Sequence, residues 1–246
     1  MSILDTLQKL RATGQKALSV LIDPDKITDL TEVRRIAHLV HESHTDFILV
    51  GGSLLTTDHF NLVIQEIRKS VTIPIILFPG SPSQISREAD AILFLSLISG
   101  RNPELLIGQH VVAAPTLRQT NLEIIPTGYM LVDCGRPTTA SYISQTFPIP
   151  WNKPEIAATT ALAGEYLGLK SIYLDGGSGA EKPVSVQMIA QVRQMVQVPL
   201  IVGGGIRHED QAKEIFAAGA DMIVVGTAFE EEPELLFALA QSKTNW

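Results

Sequence analysis

The residues best suited to chemistry stand in short clusters, each directly after an apolar, β-branched run. One cluster is Tyr173-Leu174-Asp175-Gly176-Gly177-Ser178-Gly179-Ala180, a second is Gly203-Gly204-Gly205-Ile206, and a third is Gly226-Thr227-Ala228. Glycines let a backbone approach a ligand closely and leave N–H groups aimed at it, an arrangement that satisfies the oxygens of a phosphate monoester. Glycine at a strand end also makes a tight turn with no ligand. Three clusters after three consecutive strands favour a phosphate site. Tyr173 and Asp175 are two residues apart, so on a strand both side chains point the same way. Asp175 is then a candidate base, able to position a substrate hydroxyl and take its proton as it attacks; the alternative is a carboxylate paired with Arg207 or Lys182.

An earlier run ends in Leu21-Ile22-Asp23-Pro24-Asp25-Lys26, with two carboxylates and an ammonium within four residues. Magnesium suits that set, because it takes one or two carboxylates, keeps waters, and bridges to the phosphate oxygens of an anionic substrate. Ser53, after Gly51-Gly52, offers a neutral oxygen to the same ion. The structural alternatives are that Asp-Pro-Asp makes a turn and caps the next helix, and that Ser53 is a turn hydroxyl. His38, His41, His44, His59, His110 and His208 show no metal-ligand spacing, and Cys134 has no nearby histidine in sequence to activate it. Neither a P-loop nor a GxGxxG opening the first helix occurs.

These clusters need elements to hold them. Eight strand-like runs recur: Ala17–Ile22, Phe47–Gly51, Ile75–Phe78, Ala91–Leu97, Ile124–Val132, Ser171–Leu174, Leu200–Val202 and Met222–Val225. Helical patterns lie between them at Leu30–His44, Leu62–Ser70, Pro103–Gln119, Glu155–Leu167, Val184–Val196, Asp210–Ala218 and Pro233–Ala240, with Pro103, Pro183 and Pro233 in first turns. Eight βα units in 246 residues predict one α/β domain, a (β/α)8 TIM barrel, over 1–246. Its active face is then the C-terminal end of the strands, where every cluster above sits. Between Phe78 and Ala91 the chain reads PGSPSQISREAD, too short and too rich in proline and serine for a barrel helix, which predicts a missing or vestigial third helix. The long CGRPTTASYISQTFPIPWNKP stretch after the fifth strand is a candidate lid or substrate wall.

Composition narrows the partners. The net charge of −7, from 26 acidic and 19 basic residues with no Lys/Arg block, argues against nucleic acid. An anionic substrate must therefore be held by local N–H groups, a metal or a few basic side chains. One cysteine excludes an internal disulfide and a multi-cysteine zinc site. No apolar stretch nears the roughly 20 residues of a membrane-spanning helix, and the first residues lack a signal-peptide core. The expectation is a soluble cytoplasmic protein without an integral membrane segment, free to meet a membrane surface transiently for a lipid substrate or product.

The segments LIDPDK, ILVGGSLLT, FPGSPSQIS, SLISGRNPELLIGQHVVAAP, IPTGYMLVDCG, ALAGEYLGLKSIYLDGGSGA, IVGGGI and VVGTAFE cover essentially the whole chain. Together they resemble the geranylgeranylglyceryl phosphate synthase family, which includes the heptaprenylglyceryl phosphate synthases. SGRNPE through AAP and GYMLVDCG look like the geranylgeranyl branch. The resemblance implies transfer of an allylic prenyl group from its diphosphate to the C3 hydroxyl of sn-glycerol 1-phosphate, with release of diphosphate. It implies Mg2+ on Asp23 and Ser53, glycerol phosphate on Tyr173 to Gly179, Gly204, Gly205, Gly226 and Thr227, and a homo-oligomer, dimer or hexamer. Family members more often carry Glu where this chain has the shorter Asp175. The gap left by the third helix would admit the prenyl chain, with an aromatic such as Tyr142 or Phe94 as its stop. Two rival readings are another phosphate-binding barrel enzyme, such as a sugar-phosphate isomerase or a tryptophan- or thiamine-pathway synthase, and a catalytically silent phosphate-binding barrel.

Overall fold

A computed structural model describes residues 2–27, 29–226 and 234–243. Its strands are β1 Ala17–Ile22, β2 Phe47–Val50, β3 Ile75–Leu77, β4 Ala91–Leu97, β5 Glu123–Asp133, β6 Ser171–Asp175, β7 Leu200–Gly203 and β8 Met222–Val225, each within a residue of its expected run. Every neighbouring pair is parallel, and β1 pairs with both β2 and β8 while β4 pairs with β5, so the ring closes. This is the expected (β/α)8 barrel. A two-residue strand, Ile149–Pro150, pairs with the end of β5 outside the ring.

Closure sorts side chains by parity. Phe47, Leu49, Ile76, Leu93, Ile125, Tyr173, Ile201, Met222 and Val224 fill the lumen, while their neighbours Ile48, Val50, Ile75, Ile92, Ile172, Leu174, Leu200, Val202 and Ile223 pack in the outer layer with the helices. That outer layer comprises α2 Leu30–Glu42, α3 Phe60–Ser70, α4 Gln109–Leu117, α6 Pro154–Tyr166, α7 Val186–Met195, α8 Glu209–Ala217 and α9 Glu234–Ser242, with α1 Ile3–Thr13 and the short α5 Thr139–Ser144 as additions. Pro183 was expected in a first turn but precedes the Ser185 cap of α7, whereas Pro154 holds that position in α6; Pro233 lies outside the described residues.

Two departures from the regular βα repeat shape the molecule. No helix forms between Phe78 and Asp90, as expected. The buried amide of Gln84 takes its place as an anchor: Nε2 donates to Gly52 O at 2.8 Å, and Oε1 accepts from the Gly80 and Gly52 N–H groups at 3.2 and 3.3 Å. Between β4 and β5 the expected helix begins as a wide π-turn, Glu104–Gly108, before tightening into α4. At the opposite end of the barrel lies α1, which has no counterpart among the expected elements. The Glu123 carboxylate at the foot of β5 accepts from the first N–H groups of α1, Ile3 at 2.6 Å and Leu4 at 2.8 Å. Leu7 then enters the lumen cluster fully buried.

A carboxylate on otherwise unpaired helix N–H groups stabilises by about 0.5–2 kcal/mol. Glu123→Ala is therefore expected to lower Tm by about 1–8 °C for a chain of this size. Thermal unfolding monitored by circular dichroism reads this directly, and an unchanged midpoint would show that α1 does not depend on the cap.

Candidate active site

At the mouth, the loops after β6 and β7 touch backbone to backbone. Gly177, Gly179, Gly204 and Gly205 all have positive φ, between 70° and 86°. A Cβ on Gly204 would lie 2.7 Å from the Gly177 nitrogen, and one on Gly205 would lie 2.4 Å from Lys182 O. Only glycine fits either place. The cradle is narrower than the sequence suggests, because the Gly176 N–H donates to Gly203 O at 2.9 Å and the Gly177 N–H to Asp175 Oδ1 at 2.7 Å. Those two amides are engaged within the protein. The N–H groups of Gly179, Gly204 and Gly205 donate to no protein acceptor among the described residues and can meet an anion. Ser178 is exposed beside them, and Gly226 closes the row at the end of β8. Leu174 turns its side chain into the outer core, so it can offer a ligand nothing but backbone. Thr227 lies outside the described residues.

Tyr173 and Asp175 both face inward, as their spacing requires. Tyr173 is almost fully buried, stacked on Phe78 with centroids 5.2 Å apart and edge-on to Tyr129 at 5.7 Å. The cations of the alternative reading, Arg207 and Lys182, do not pair with Asp175: Arg207 donates to Glu181 O and Ala180 O at 2.9 and 2.8 Å, and the Lys182 ammonium sits 3.8 Å over the Trp151 ring. Its actual partners are the Gly177 N–H and the Tyr129 hydroxyl, which donates to Oδ2 at 2.5 Å. Burial raises the Asp175 carboxyl above the usual carboxylate range, and these two donors pull it back down. Tyr129 was missed from sequence, although the inward parity of Ile125 extends to it and its register partner is Tyr173. Arg136, also unanticipated, lays its guanidinium against the face of Gly179, where a Cβ would clash with it at 2.0 Å.

Across the mouth the two strand-one carboxylates part company. Asp25 turns aside: its oxygens accept from the N–H and hydroxyl groups of Thr56 (2.6 and 2.8 Å) and Thr57 (3.2 and 2.8 Å), tying the loop after β1 to the loop after β2. The expected paired cluster is thus a single carboxylate, Asp23. It caps the Pro24–Lys26 turn through Oδ1, 3.2 Å from the Asp25 nitrogen, and its other oxygen accepts nothing among the described residues. Burial raises its pKa, with Lys26 opposing. Gly52 packs against this carboxylate, where a Cβ would lie 3.0 Å from Oδ1, and Ser53 is the next residue. No cluster of three or more His, Cys, Asp or Glu that could hold a metal occurs among the described residues. One half-buried carboxylate oxygen and a hydroxyl suit a hard cation that keeps most of its waters. Cys134 is buried, and burial pushes its thiol up to about 12, above the range of a reactive cysteine.

Between these two sides opens a groove with mainly apolar lining. Ser53 and Tyr129 stand in its walls at the barrel end. From there it runs past Phe78, Pro82, Ile85, Phe94 and Leu105 through the gap left by the missing helix to His110 and Ala113. Ala140, Ile143 and Ser144 of α5 supply the facing wall, so the long segment after β5 is a wall of the groove. Of the two aromatics expected to stop a chain, Phe94 lines the groove and packs edge-on to His110 at 4.4 Å; Tyr142 is 81% exposed and lies outside it.

Residues 12–243 match the PcrB family. A curated relative from Spirosoma linguale, named geranylgeranylglyceryl phosphate synthase, is 55% identical over 95% of this chain and 94% of its own. A second with the same name, from Chitinophaga pinensis, is 51% identical over 94% and 92%. The crystal structure of (S)-3-O-geranylgeranylglyceryl phosphate synthase from Thermoplasma acidophilum, in complex with its substrate sn-glycerol-1-phosphate, superposes with a TM-score of 0.94 at 34% identity over the whole of both chains.

The backbone contact between the two glycine loops makes a sharp expectation. Gly204→Ala forces them apart and should weaken inorganic phosphate binding by about tenfold or more, a loss of about 1.4 kcal/mol. Gly14→Ala is the control, since Gly14 has a similar φ of 75° but nothing within 4 Å of its would-be Cβ. Chemical-shift titration with phosphate measures both, and equal affinities in the two variants would show that the loops do not form the anion cradle.

Proposed function

The chain belongs to the PcrB family, and we propose that it is a Mg2+-dependent prenyltransferase joining geranylgeranyl diphosphate to the C3 hydroxyl of sn-glycerol 1-phosphate. The observation that carries this reading is the inner end of the groove, whose walls include Ser53 on the Asp23 side and Tyr129 on the Asp175 side. A long apolar chain lying in the groove therefore has its head between the candidate metal corner and the candidate phosphate cradle. Neither rival barrel chemistry nor phosphate binding alone calls for an apolar groove ending there.

Each group then has a task. The free N–H groups of Gly179, Gly204 and Gly205, with Ser178, Gly226 and Thr227, would hold the glycerol phosphate. Tyr173 forms a rigid floor, and the Asp175 side receives the proton of the C3 hydroxyl. Asp23 and Ser53 would hold Mg2+, whose charge when bound favours departure of diphosphate. The unengaged, desolvated oxygen of Asp23 fits that role, because a cation restores what burial removes. The geranylgeranyl donor is favoured by the names of the relatives; the apolar lining that continues to His110 and Ala113 of α4 suits a long prenyl chain. No helix among the described residues is long and apolar enough to cross a membrane. We further propose a cytoplasmic homo-oligomer, dimer or hexamer, that meets the membrane surface only to exchange lipid.

The direct test is prenyl transfer from farnesyl, geranylgeranyl and longer diphosphates to radiolabelled sn-glycerol 1-phosphate with and without Mg2+, using the sn-3 isomer as control. The expected outcome is Mg2+-dependent ether formation with the sn-1 isomer, greatest with geranylgeranyl diphosphate. Asp23→Ala should reduce turnover by about 100-fold or more, the scale of losing an electrostatic partner of a leaving group, while retaining glycerol phosphate binding. Absence of product with every donor, with glycerol phosphate still bound, would favour the silent-barrel reading.

A further inference from the structure

The carboxylate that should accept the proton is not the group that faces the incoming chain. Asp175 is 7% exposed, and each of its oxygens already accepts a hydrogen bond, Oδ1 from Gly177 and Oδ2 from Tyr129. It forms no part of the groove wall, whereas Tyr129 does. Tyr129 thus spans the two halves of the site: its ring borders the apolar groove and its hydroxyl reaches the buried carboxylate. The geometry is built into the register. Tyr129 pairs with Tyr173 and Leu131 with Asp175, so Tyr129 and Asp175 are diagonal neighbours on the inward face, a separation that an aromatic side chain bridges. Its ring is fixed edge-on by Phe78 and by Tyr173, both at 5.7 Å.

We infer that the Tyr129 hydroxyl is a catalytic residue, a one-proton relay between the attacking glycerol hydroxyl and Asp175. The inference rests on the prenyl-transfer reading above. As the glycerol oxygen bonds to C1 of the prenyl group, the C1–oxygen bond to diphosphate breaks and diphosphate leaves with the electron pair. The glycerol proton passes to Tyr129 Oη while the Tyr129 proton passes to Asp175 Oδ2. Tyrosine ends neutral, Asp175 ends protonated, and release of that proton to solvent resets the site. A hydroxyl suits this position because it donates and accepts at once.

The surroundings keep both partners in the required states. The O–H···O separation of 2.5 Å lies at the short end of the range for a hydroxyl on a carboxylate. Burial and the adjacent Asp175 hold the Tyr129 hydroxyl well above its ordinary pKa, so it stays protonated between turnovers. The titratable groups around Asp175 are Tyr129 on β5, Tyr173 on β6 and Cys134 after β5, all neutral in this setting. With no cation pairing it among the described residues, the carboxylate depends on Tyr129 and Gly177 to remain ionised.

Tyr129→Phe keeps the ring and removes the relay. We expect kcat to fall by about 100-fold or more, with KM for both substrates nearly unchanged. Asp175→Asn should fall comparably, and the double variant should be no slower than the slower single one. The titration of the Asp175 carboxyl, monitored by 13C NMR, should move to higher pH in Tyr129→Phe, since the lost hydrogen bond had lowered it; the acid limb of any residual kcat should move the same way. Replacement of Tyr129 by 3-fluorotyrosine preserves packing if the Phe variant folds poorly, and should move both titrations to lower pH. Undiminished kcat in Tyr129→Phe, or single losses that multiply in the double variant, would overturn the relay while leaving prenyl transfer intact. A lowered Tm with an unmoved carboxyl titration would reduce Tyr129 to a packing role. Failure of the wild-type protein to form ether with any donor would remove the transfer reading and the relay with it.

Discussion

Ring closure governs everything at the mouth. Eight parallel strands that close on themselves leave each residue one of two environments, and the lumen admits only what its neighbours leave room for. On β6 this sends Tyr173 and Asp175 inward and Leu174 outward in the same three residues. On β5 it sends Tyr129 inward, level with Tyr173. The same close fit explains Gly203, where a Cβ would lie 2.4 Å from the Tyr173 hydroxyl oxygen. The phenol occupies the space that a side chain on β7 would need, and the glycine row after β7 begins there for steric reasons before it serves any ligand.

The two ends of the barrel treat buried charge in opposite ways. At the foot, Asp221 is buried but accepts from Arg193 at 3.0 Å and from the Leu200 N–H at 2.8 Å, while Lys16 donates to Ala220 O at 2.7 Å. These charges are paired, and their arrangement is structural. At the mouth, Asp23 and Asp175 are desolvated without a salt-bridge partner among the described residues; burial raises the pKa of both, as it does for Asp221, so the two ends differ in the partners and not in the direction of the shift. Carboxylates left this way are poised for a cation or a proton. The difference in what satisfies each one separates their roles: a neutral tyrosine hydroxyl on Asp175 favours proton transfer, and an open oxygen on Asp23 favours a metal.

Much of this was legible from residue order. The strand runs, the glycine loops and the missing third helix all arise from local pattern, because parity, turn chemistry and proline content act within a few residues. The features that escaped depend on partners far away in sequence. Asp25 looked like a second metal ligand until Thr56 and Thr57, 31 and 32 residues on, claimed both its oxygens. Glu123 holds α1 across 120 residues. The Gly176 amide looked available to a phosphate, yet it completes the ladder to Gly203. Tyr129 was hidden differently: its inward parity could be read, but not that a buried carboxylate two residues along the neighbouring strand would need a donor.

The groove exists because a helix does not, and the structure shows what replaced it. A helix after β3 would have covered the outer faces of Ile92 and Phe94 and anchored the connection by packing. Instead, a buried amide, Gln84, fixes the Phe78–Asp90 segment to the backbone of Gly52, and Arg68 holds its far end through Glu88 O and the Asp90 carboxylate, so the segment is tied down by polar contacts and the apolar face beside it stays open. Gly51 allows this, since a Cβ there would lie 2.0 Å from Phe78 O. The anchor also sits one residue from Ser53 and beside Asp23. The contact that keeps the groove open thus fixes the corner where its inner end lies, and a polar head and an apolar tail are placed by one short stretch of chain.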